Sequence, residues 1–222
     1  MKIDMHNHFY PAAYLDAVEK VESSLTIETD GWGRRVIADG GVRIVTITEP
    51  MTDPARRTED MDRCGVDMQI ISLTAPNVNF VEAEQGLELA RAANEGIAEV
   101  VSLYPDRFVG LASVPLKNVD LACIELERAV SELRLKGVCI GSNIAGTQLD
   151  APQLLTFYQK VAELDVPLFI HPMTPAGAEA MKQYRLAPLI GFEFDLTLAL
   201  CRLIYSGIMD KLPGLRVVIS HL

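Results

Sequence analysis

The sequence predicts an α/β fold, and three observations carry that expectation. Short runs that are apolar on both faces alternate with amphipathic helical stretches. Apolar residues make up 49% of the 222 residues, enough for one large core. All four histidines fall at the C-terminal ends of predicted strands. Strands buried on both faces and separated by helices build a parallel sheet covered by helices. Such a sheet either stays open and doubly wound or closes as a TIM (β/α)8 barrel. No glycine-rich fingerprint follows the first strand, which favours the barrel.

The elements follow in chain order. The first strand ends at His6-Asn7-His8 and leads into a short helix. Residues 25–48 then break the rhythm. Thr26-Ile27-Glu28-Thr29, Arg35-Val36-Ile37 and Val42-Arg43-Ile44-Val45 are separated by Asp30-Gly31 and Asp39-Gly40-Gly41, which predicts a small antiparallel insertion with hairpin turns. It would sit above the barrel mouth, as a cap over apolar surface or as a substrate lid. Val66–Leu73 is a compact apolar run ended by Thr74-Ala75-Pro76-Asn77. Glu82–Leu103 has helical spacing, with Leu87, Ala90, Ala93, Ile97 and Val101 on one face. Phe108–Val114 is a strand stopped by Pro115, and the next helix runs to Leu133 from an N-cap region at Asp120. Gly137–Gly141 is a buried strand, Pro152–Leu164 a helix and Pro167–His171 a strand. Leu186–Met209 is largely helical, and Leu215–Ser220 is the last strand.

A formal charge of -10 argues against nucleic acid or an anionic membrane as partner. A local group of arginines can still reverse the field inside a cleft, so an anionic substrate is compatible with it. Cys64, Cys123, Cys139 and Cys201 form no CxxC pair and read as buried thiols in a reducing compartment. The N-terminus has no apolar signal region, and Leu186–Met209 is interrupted by Pro188, Glu193, Asp195 and Arg202. A cytoplasmic protein without a membrane span is expected.

A lone histidine at a strand end is usually a satisfied structural residue. Four of them at the ends where the loops of parallel α/β folds converge point to a site. Residues i and i+2 of a strand share a face, so His6 and His8 can grip one ion. His171, from across the barrel, would complete a tripod with room for water or substrate. Neutral imidazoles suit zinc and other borderline first-row metals.

The phrases Ile3-Asp4-Met5-His6-Asn7-His8, Phe169-Ile170-His171-Pro172 and Val218-Ile219-Ser220-His221 resemble the signatures of the amidohydrolase superfamily. Glu59-Asp60-Met61-Asp62 before Gly65-Val66-Asp67, and Ser206-Gly207-Ile208-Met209-Asp210 before Pro213, match as well. The branch is the one containing aminocarboxymuconate semialdehyde decarboxylase and related non-oxidative aromatic acid decarboxylases. The resemblance covers nearly the whole chain. It implies a metal-dependent barrel enzyme in which His6, His8 and His171 hold one divalent metal, zinc first, with manganese or another first-row ion as the alternative. His221 is then the acid/base group, a role that histidine's ordinary pKa near neutrality suits. Decarboxylation of a conjugated or aromatic carboxylic acid is the implied reaction. Metal-dependent hydrolysis of an amide, ester or lactone is the enzymatic alternative, and a non-catalytic truncated remnant is the third reading. The implied partners are a small carboxylate substrate and a second copy in a homodimer.

An anionic substrate calls for arginine. Arg43 resembles the family's substrate arginine and Arg185 is a second candidate; a solvated surface arginine is the rival reading of both. Asn143 resembles a family asparagine that faces the pocket, with a turn-forming asparagine as its rival. The loop from Met173 to Phe194 departs from the family pattern, with Met173 in place of an aromatic residue and Arg185 and Pro188 in place of tryptophans. The family barrel has two further strands, the eighth bringing a metal-binding aspartate. The sequence stops at Leu222, so a single domain over 1–222 is expected, a barrel truncated after its sixth strand with Leu215–Ser220 as an uncovered edge. Asp4 reads as a structural part of the first motif.

Overall fold

The computed structural model describes residues 1–40, 42–175, 177–181 and 183–221. Gly41 of the expected second hairpin turn and Leu222 lie outside the described residues. From the N-terminus, β1 (Ile3–His8) is followed by α1 (Ala12–Val18) and by β2 (Leu25–Thr29), β3 (Arg35–Asp39) and β4 (Val42–Thr46). Next come α2 (Pro54–Cys64), β5 (Met68–Ser72), α3 (Ala83–Leu103), β6 (Phe108–Gly110), α4 (Val119–Ser131) and β7 (Val138–Gly141). A short hairpin of β8 (Asn143–Ile144) and β9 (Thr147–Gln148) precedes α5 (Leu155–Glu163) and β10 (Leu168–His171). α6 (Phe192–Tyr205), α7 (Ile208–Lys211) and β11 (Val217–Ile219) complete the order.

The α/β class holds. β1, β5 and β6 form one parallel sheet and β7, β10 and β11 another. A parallel bridge between Ala112 and Val138 joins them, so six parallel strands stand in chain order. The array curls without closing: among the described residues β1 and β11 share no ladder. Their C-terminal ends nevertheless come near each other, as the ring contact between His6 and His221 shows (centroids 4.8 Å apart). Between the strands and the helices lies the main core, with Ile71, Ile97, Phe108, Ile140, Phe157 and Ile170 among its side chains, while the inner face of the curl carries the small cluster of Leu111, Cys139 and Phe169. The antiparallel sheet β2-β3-β4 packs its buried face, through Ile37 and Ile47, into a second cluster with Tyr14, Leu15 and Leu89.

Local chemistry explains the boundaries, including those that differ from expectation. Asp53 caps α2 by accepting from the amides of Ala55 and Arg56, and Gly65 ends it at φ 63, a conformation glycine adopts without steric cost. Asn118, not the Asp120 region, caps α4, because its side chain reaches the amides of Asp120 and Leu121. The buried stripe of α3 runs through Gly86, Leu89, Ala90, Ala93, Asn94, Ile97 and Val100, so Leu87 and Val101 sit at its margins and a polar Asn94 lies at its centre. The predicted strand Phe108–Val114 divides. The Leu111 amide still donates to Ile71 on β5, whereas the Ala112 amide turns to Gly137 and the Ser113 amide to the Asn94 side chain. The stretch Leu186–Met209 is interrupted twice, by a π-helical turn at Ala187–Gly191 and by Gly207 at φ 75. Of the four cysteines, all free, only Cys139 is fully buried and Cys64 is exposed. No helix among the described residues is long and apolar enough to cross a membrane.

Asn94 ties three elements together. Its Nδ2 donates to the Ser113 carbonyl at 3.0 Å and to Glu125 Oε1 at 2.7 Å, while its Oδ1 accepts from the Ser113 amide at 2.8 Å. Glu125 is wholly buried and is also held by Arg128. Asn94→Ala is expected to cost about 2–4 kcal/mol, because it leaves a buried amide and part of a buried carboxylate unpaired. Urea unfolding of the variant measures this, and a loss below about 1 kcal/mol would contradict the role given to the network.

Candidate metal centre

β1 and β10 bring three imidazoles to one point. His6 and His8 occupy the last turns of pleat on β1, and His171 is the final residue of β10. One nitrogen from each ring lies within 4.8 Å of the others, and this group contains no carboxylate among the described residues. The ring centroids are 4.7 Å apart for His6 and His8, 5.1 Å for His6 and His171, and 4.8 Å for His8 and His171. His8 Nε2 stands 3.2 Å from His171 Nε2. Two imidazole nitrogens that share an ion at about 2.0–2.1 Å stand about 3–3.4 Å apart, so this pair already has the required bite.

A hydrogen bond fixes the tautomer of His171. His171 Nδ1 lies 2.8 Å from the Pro172 carbonyl, which can only accept, so Nδ1 carries the proton and Nε2 is bare. Thr74 Oγ1 approaches the same Nε2 at 3.4 Å. His6 Nε2 and His8 Nδ1 are buried without a hydrogen-bond partner, which ordinarily costs about 1–3 kcal/mol per group. A cation bound between His8 Nε2 and His171 Nε2 would also satisfy the orphaned His6 Nε2, and the all-nitrogen donor set suits a borderline first-row ion.

Charge states favour the same conclusion. Burial, followed by the neighbouring His171, His6, His221 and Arg57, pulls the His8 pKa from 6.5 to about 2. Burial and His6 pull His171 to about 3, against the raising effect of its bond to Pro172. Burial and His221 lower His6, partly opposed by Asp4. The three rings are therefore neutral at pH 7, with lone pairs ready for a cation.

His221 follows β11, with φ 62 in the left-handed region. Its ring lies 5.6 Å from that of His171, and Glu193 Oε1 stands 3.7 Å from its Nδ1. It borders the three-histidine group without belonging to it.

Beside the histidines opens a cavity of about 500 Å3 lined by, among others, Asn79, Phe80, Asn143, Met173, Thr174 and Asp195. Its lining includes none of the histidines, but Gly141, which does line it, pairs with His171 in the β7–β10 ladder. A Cβ at Gly141 would come within 2.4 Å of Met173 Cγ, so only glycine lets the loop after His171 fold back here. Asn143 is buried; its Nδ2 donates to the Thr174 carbonyl and to Asp195 Oδ2, and its Oδ1 accepts from the Gly146 amide. Asn143 thus faces the cavity and also forms a turn. Asp195, from α6, additionally accepts from Ser142 Oγ, which accepts from the Met173 amide at 2.9 Å.

The two candidate arginines are not brought to the histidines. Arg43 is exposed on β4, its Nη2 3.7 Å from Asp30 and its Nη1 3.4 Å from Thr46 Oγ1. Register sets it opposite Ala38, next to Asp39 at the cavity edge. Arg185 is exposed in the loop after β10. Sequence reasoning missed Thr74, Asp195 and Arg57. For Asp195 the available signal was a carboxylate between Phe194 and Leu196 in a mostly apolar helix.

Depressed histidine pKa values make stability depend on pH. The unfolded rings take up protons below about 6.5 and the folded His8 and His171 do not, so stability present at neutral pH is lost as pH falls. Between pH 7.5 and 5.5 the metal-free chain should lose about 1.4 kcal/mol for each of these rings. Urea unfolding in chelator measures it, and His8→Gln should flatten the slope by about one ring's share. A flat profile in the unsubstituted chain would contradict the burial of neutral imidazoles.

Comparison with known proteins finds relatives of the chain as a whole. A family model described as Amidohydrolase matches residues 3–222. The 2-amino-3-carboxymuconate-6-semialdehyde decarboxylase of Dictyostelium discoideum is 33% identical over 225 residues, covering 100% of this chain and 62% of that protein. The crystal structure of 5-carboxyvanillate decarboxylase from Sphingomonas paucimobilis superposes with a TM-score of 0.83 at 25% identity, over 98% of this chain and 66% of the other. A dihydroxybenzoic acid decarboxylase from Polaromonas sp. JS666, with bound manganese and the inhibitor 2-nitroresorcinol, gives a TM-score of 0.77 at 28% identity, over 98% of this chain and 64% of the other. The chain thus spans about two thirds of the length of these relatives.

Proposed function

This chain belongs to the amidohydrolase family, and from that premise we propose that it serves the metal-dependent, non-oxidative decarboxylation of an aromatic or conjugated carboxylic acid. The observation that carries the proposal is the trio of neutral imidazoles meeting beside a cavity of about 500 Å3. Decarboxylases among the similar proteins, one of them with bound manganese, support it. The six parallel strands are, in this proposal, the counterpart of the first six of a (β/α)8 barrel.

His6, His8 and His171 would hold one divalent ion, manganese or zinc. When bound, the ion supplies Lewis acidity that polarises a substrate oxygen. The chain's own residues do the rest. Asn143 and the cavity wall orient the ring, and Met173 and Phe80 keep water from its faces. Arg43, next to the cavity edge, and Arg185, in the loop after His171, are the guanidiniums offered to the substrate carboxylate. The bond between ring carbon and carboxylate breaks, its electron pair stays on the ring carbon, and carbon dioxide leaves. His221 delivers a proton to that carbon, with Glu193 as the ion-pair partner of its protonated ring.

The test is an assay of carbon dioxide release from 2,6-dihydroxybenzoate by the manganese-loaded chain, with a lactone as control. Release that chelator abolishes is the expected result; lactone hydrolysis without carbon dioxide would contradict it. His171→Ala should abolish metal retention at neutral pH, measured by elemental analysis after gel filtration. His221→Asn should keep the metal and lower turnover by about 10²–10⁴-fold, and undiminished turnover would remove it from the reaction.

A further inference from the structure

The His6-Asn7-His8 segment sits on an irregular strand. Between Asp4 and Asn7 the register of β1 against β5 slips: Asp4 pairs with Gln69 and Asn7 with Ile71, three steps on one strand against two on the other. A bulge of this kind re-aims side chains and leaves the ladder locally unable to fix them. Something else must set the aim of two imidazoles on one point.

A connected group of side chains is placed to do so. Arg57, on α2, is 7% exposed, and each of its three nitrogens donates to a different acceptor. Nη2 donates to the His8 carbonyl, Nη1 to Gln69 Oε1 at 3.0 Å and Nε to the Pro50 carbonyl at 2.6 Å. Gln69 Nε2 in turn donates to Asp4 Oδ2 at 3.3 Å, and Asp4 Oδ1 accepts from the His6 amide at 3.5 Å. The tripeptide is held at both ends: its first amide by Asp4, its last carbonyl by Arg57, with Gln69 joining the two. A fork of rigid, planar donors suits this work as a lysine ammonium does not. Both Asp4 and Gln69 lie beneath the histidines on their own strands, so the clamp reaches the site without entering it.

We propose that Arg57 is a positioning residue of the metal centre, which with Gln69 and Asp4 locks the bulged end of β1 so that His6 and His8 meet His171. The proposal rests on the reading of His6, His8 and His171 as metal ligands. It adds a determinant that acts through the backbone of a ligand rather than through its ring. Partners at this remove from an ion typically change its affinity by about 10–100-fold.

Titration of the full chain with Co2+, followed by visible absorption, reports affinity and ligand geometry together. Arg57→Met and Gln69→Leu are each expected to weaken Co2+ binding by about 10-fold or more and to alter its visible bands. Arg57→Lys, which keeps one donor for the His8 carbonyl, should fall between Arg57→Met and the unsubstituted chain. Thermal unfolding of each variant fixes a temperature at which it is folded; if Arg57→Met does not fold, Gln69→Leu and Arg57→Lys carry the same test. Unchanged affinity and bands in the folded variants would overturn the proposal. Weaker binding with unaltered bands would overturn it too, because the site would then have lost stability and not aim. Failure of the unsubstituted chain to bind Co2+ would overturn the metal reading itself, and the role of Arg57 with it.

Discussion

Three uncharged imidazoles held a few ångströms apart, one buried and two partly buried, are the constraint on which the rest of the structure depends. Each ring gives up hydration that a lone pair or an N–H would otherwise enjoy, and two buried nitrogens receive no protein partner in return. An arrangement of that cost persists only where the surroundings over-determine it. Here they do. β1 lies at one end of the six-strand array and β10 next to the other, and the curl of the array brings their C-terminal ends together. The Pro172 carbonyl sets one tautomer, Thr74 crowds the same ring, and the chain after His171 is folded back over Gly141.

The polar groups that support this arrangement are themselves buried and joined in networks. Asn94, Ser113 and Glu125 bind helices to the strand junction where the two sheets meet. Asp195, Ser142 and Asn143 bind α6 to the ends of β7 and β10, beside the cavity. Arg57, Gln69 and Asp4 bind α2 to the end of β1. Each network meets the array at or near the strand ends, where the ladder is giving out and side chains must replace it.

The division between what the sequence disclosed and what it hid follows from the same physics. Parallel strands buried on both faces are largely apolar, so Val66–Leu73, Gly137–Gly141 and Pro167–His171 stood out as runs around the observed strands Met68–Ser72, Val138–Gly141 and Leu168–His171. The histidines were legible because only a few residue types bind metals and because strand ends collect them. Single buried polar residues have no such signature. Asn94 replaces an apolar residue in the α3 stripe without disturbing its period, and Arg56-Arg57 shows two arginines of which only the second is buried. The bulge in β1 was equally invisible, because it changes the pairing partner rather than the residue type. Arg43, singled out by resemblance and charge, and Arg185, by charge and its place after His171, sit on exposed segments whose distance from the histidines depends on loop paths that periodicity does not encode.

The central claim, that these imidazoles form one metal site, is tested most directly by X-ray absorption spectroscopy of the zinc-loaded chain. The account predicts a shell of about three imidazole nitrogens at about 2.0–2.1 Å, with the multiple-scattering pattern of histidine rings. A shell of oxygen donors alone, or one containing a single imidazole, would contradict it.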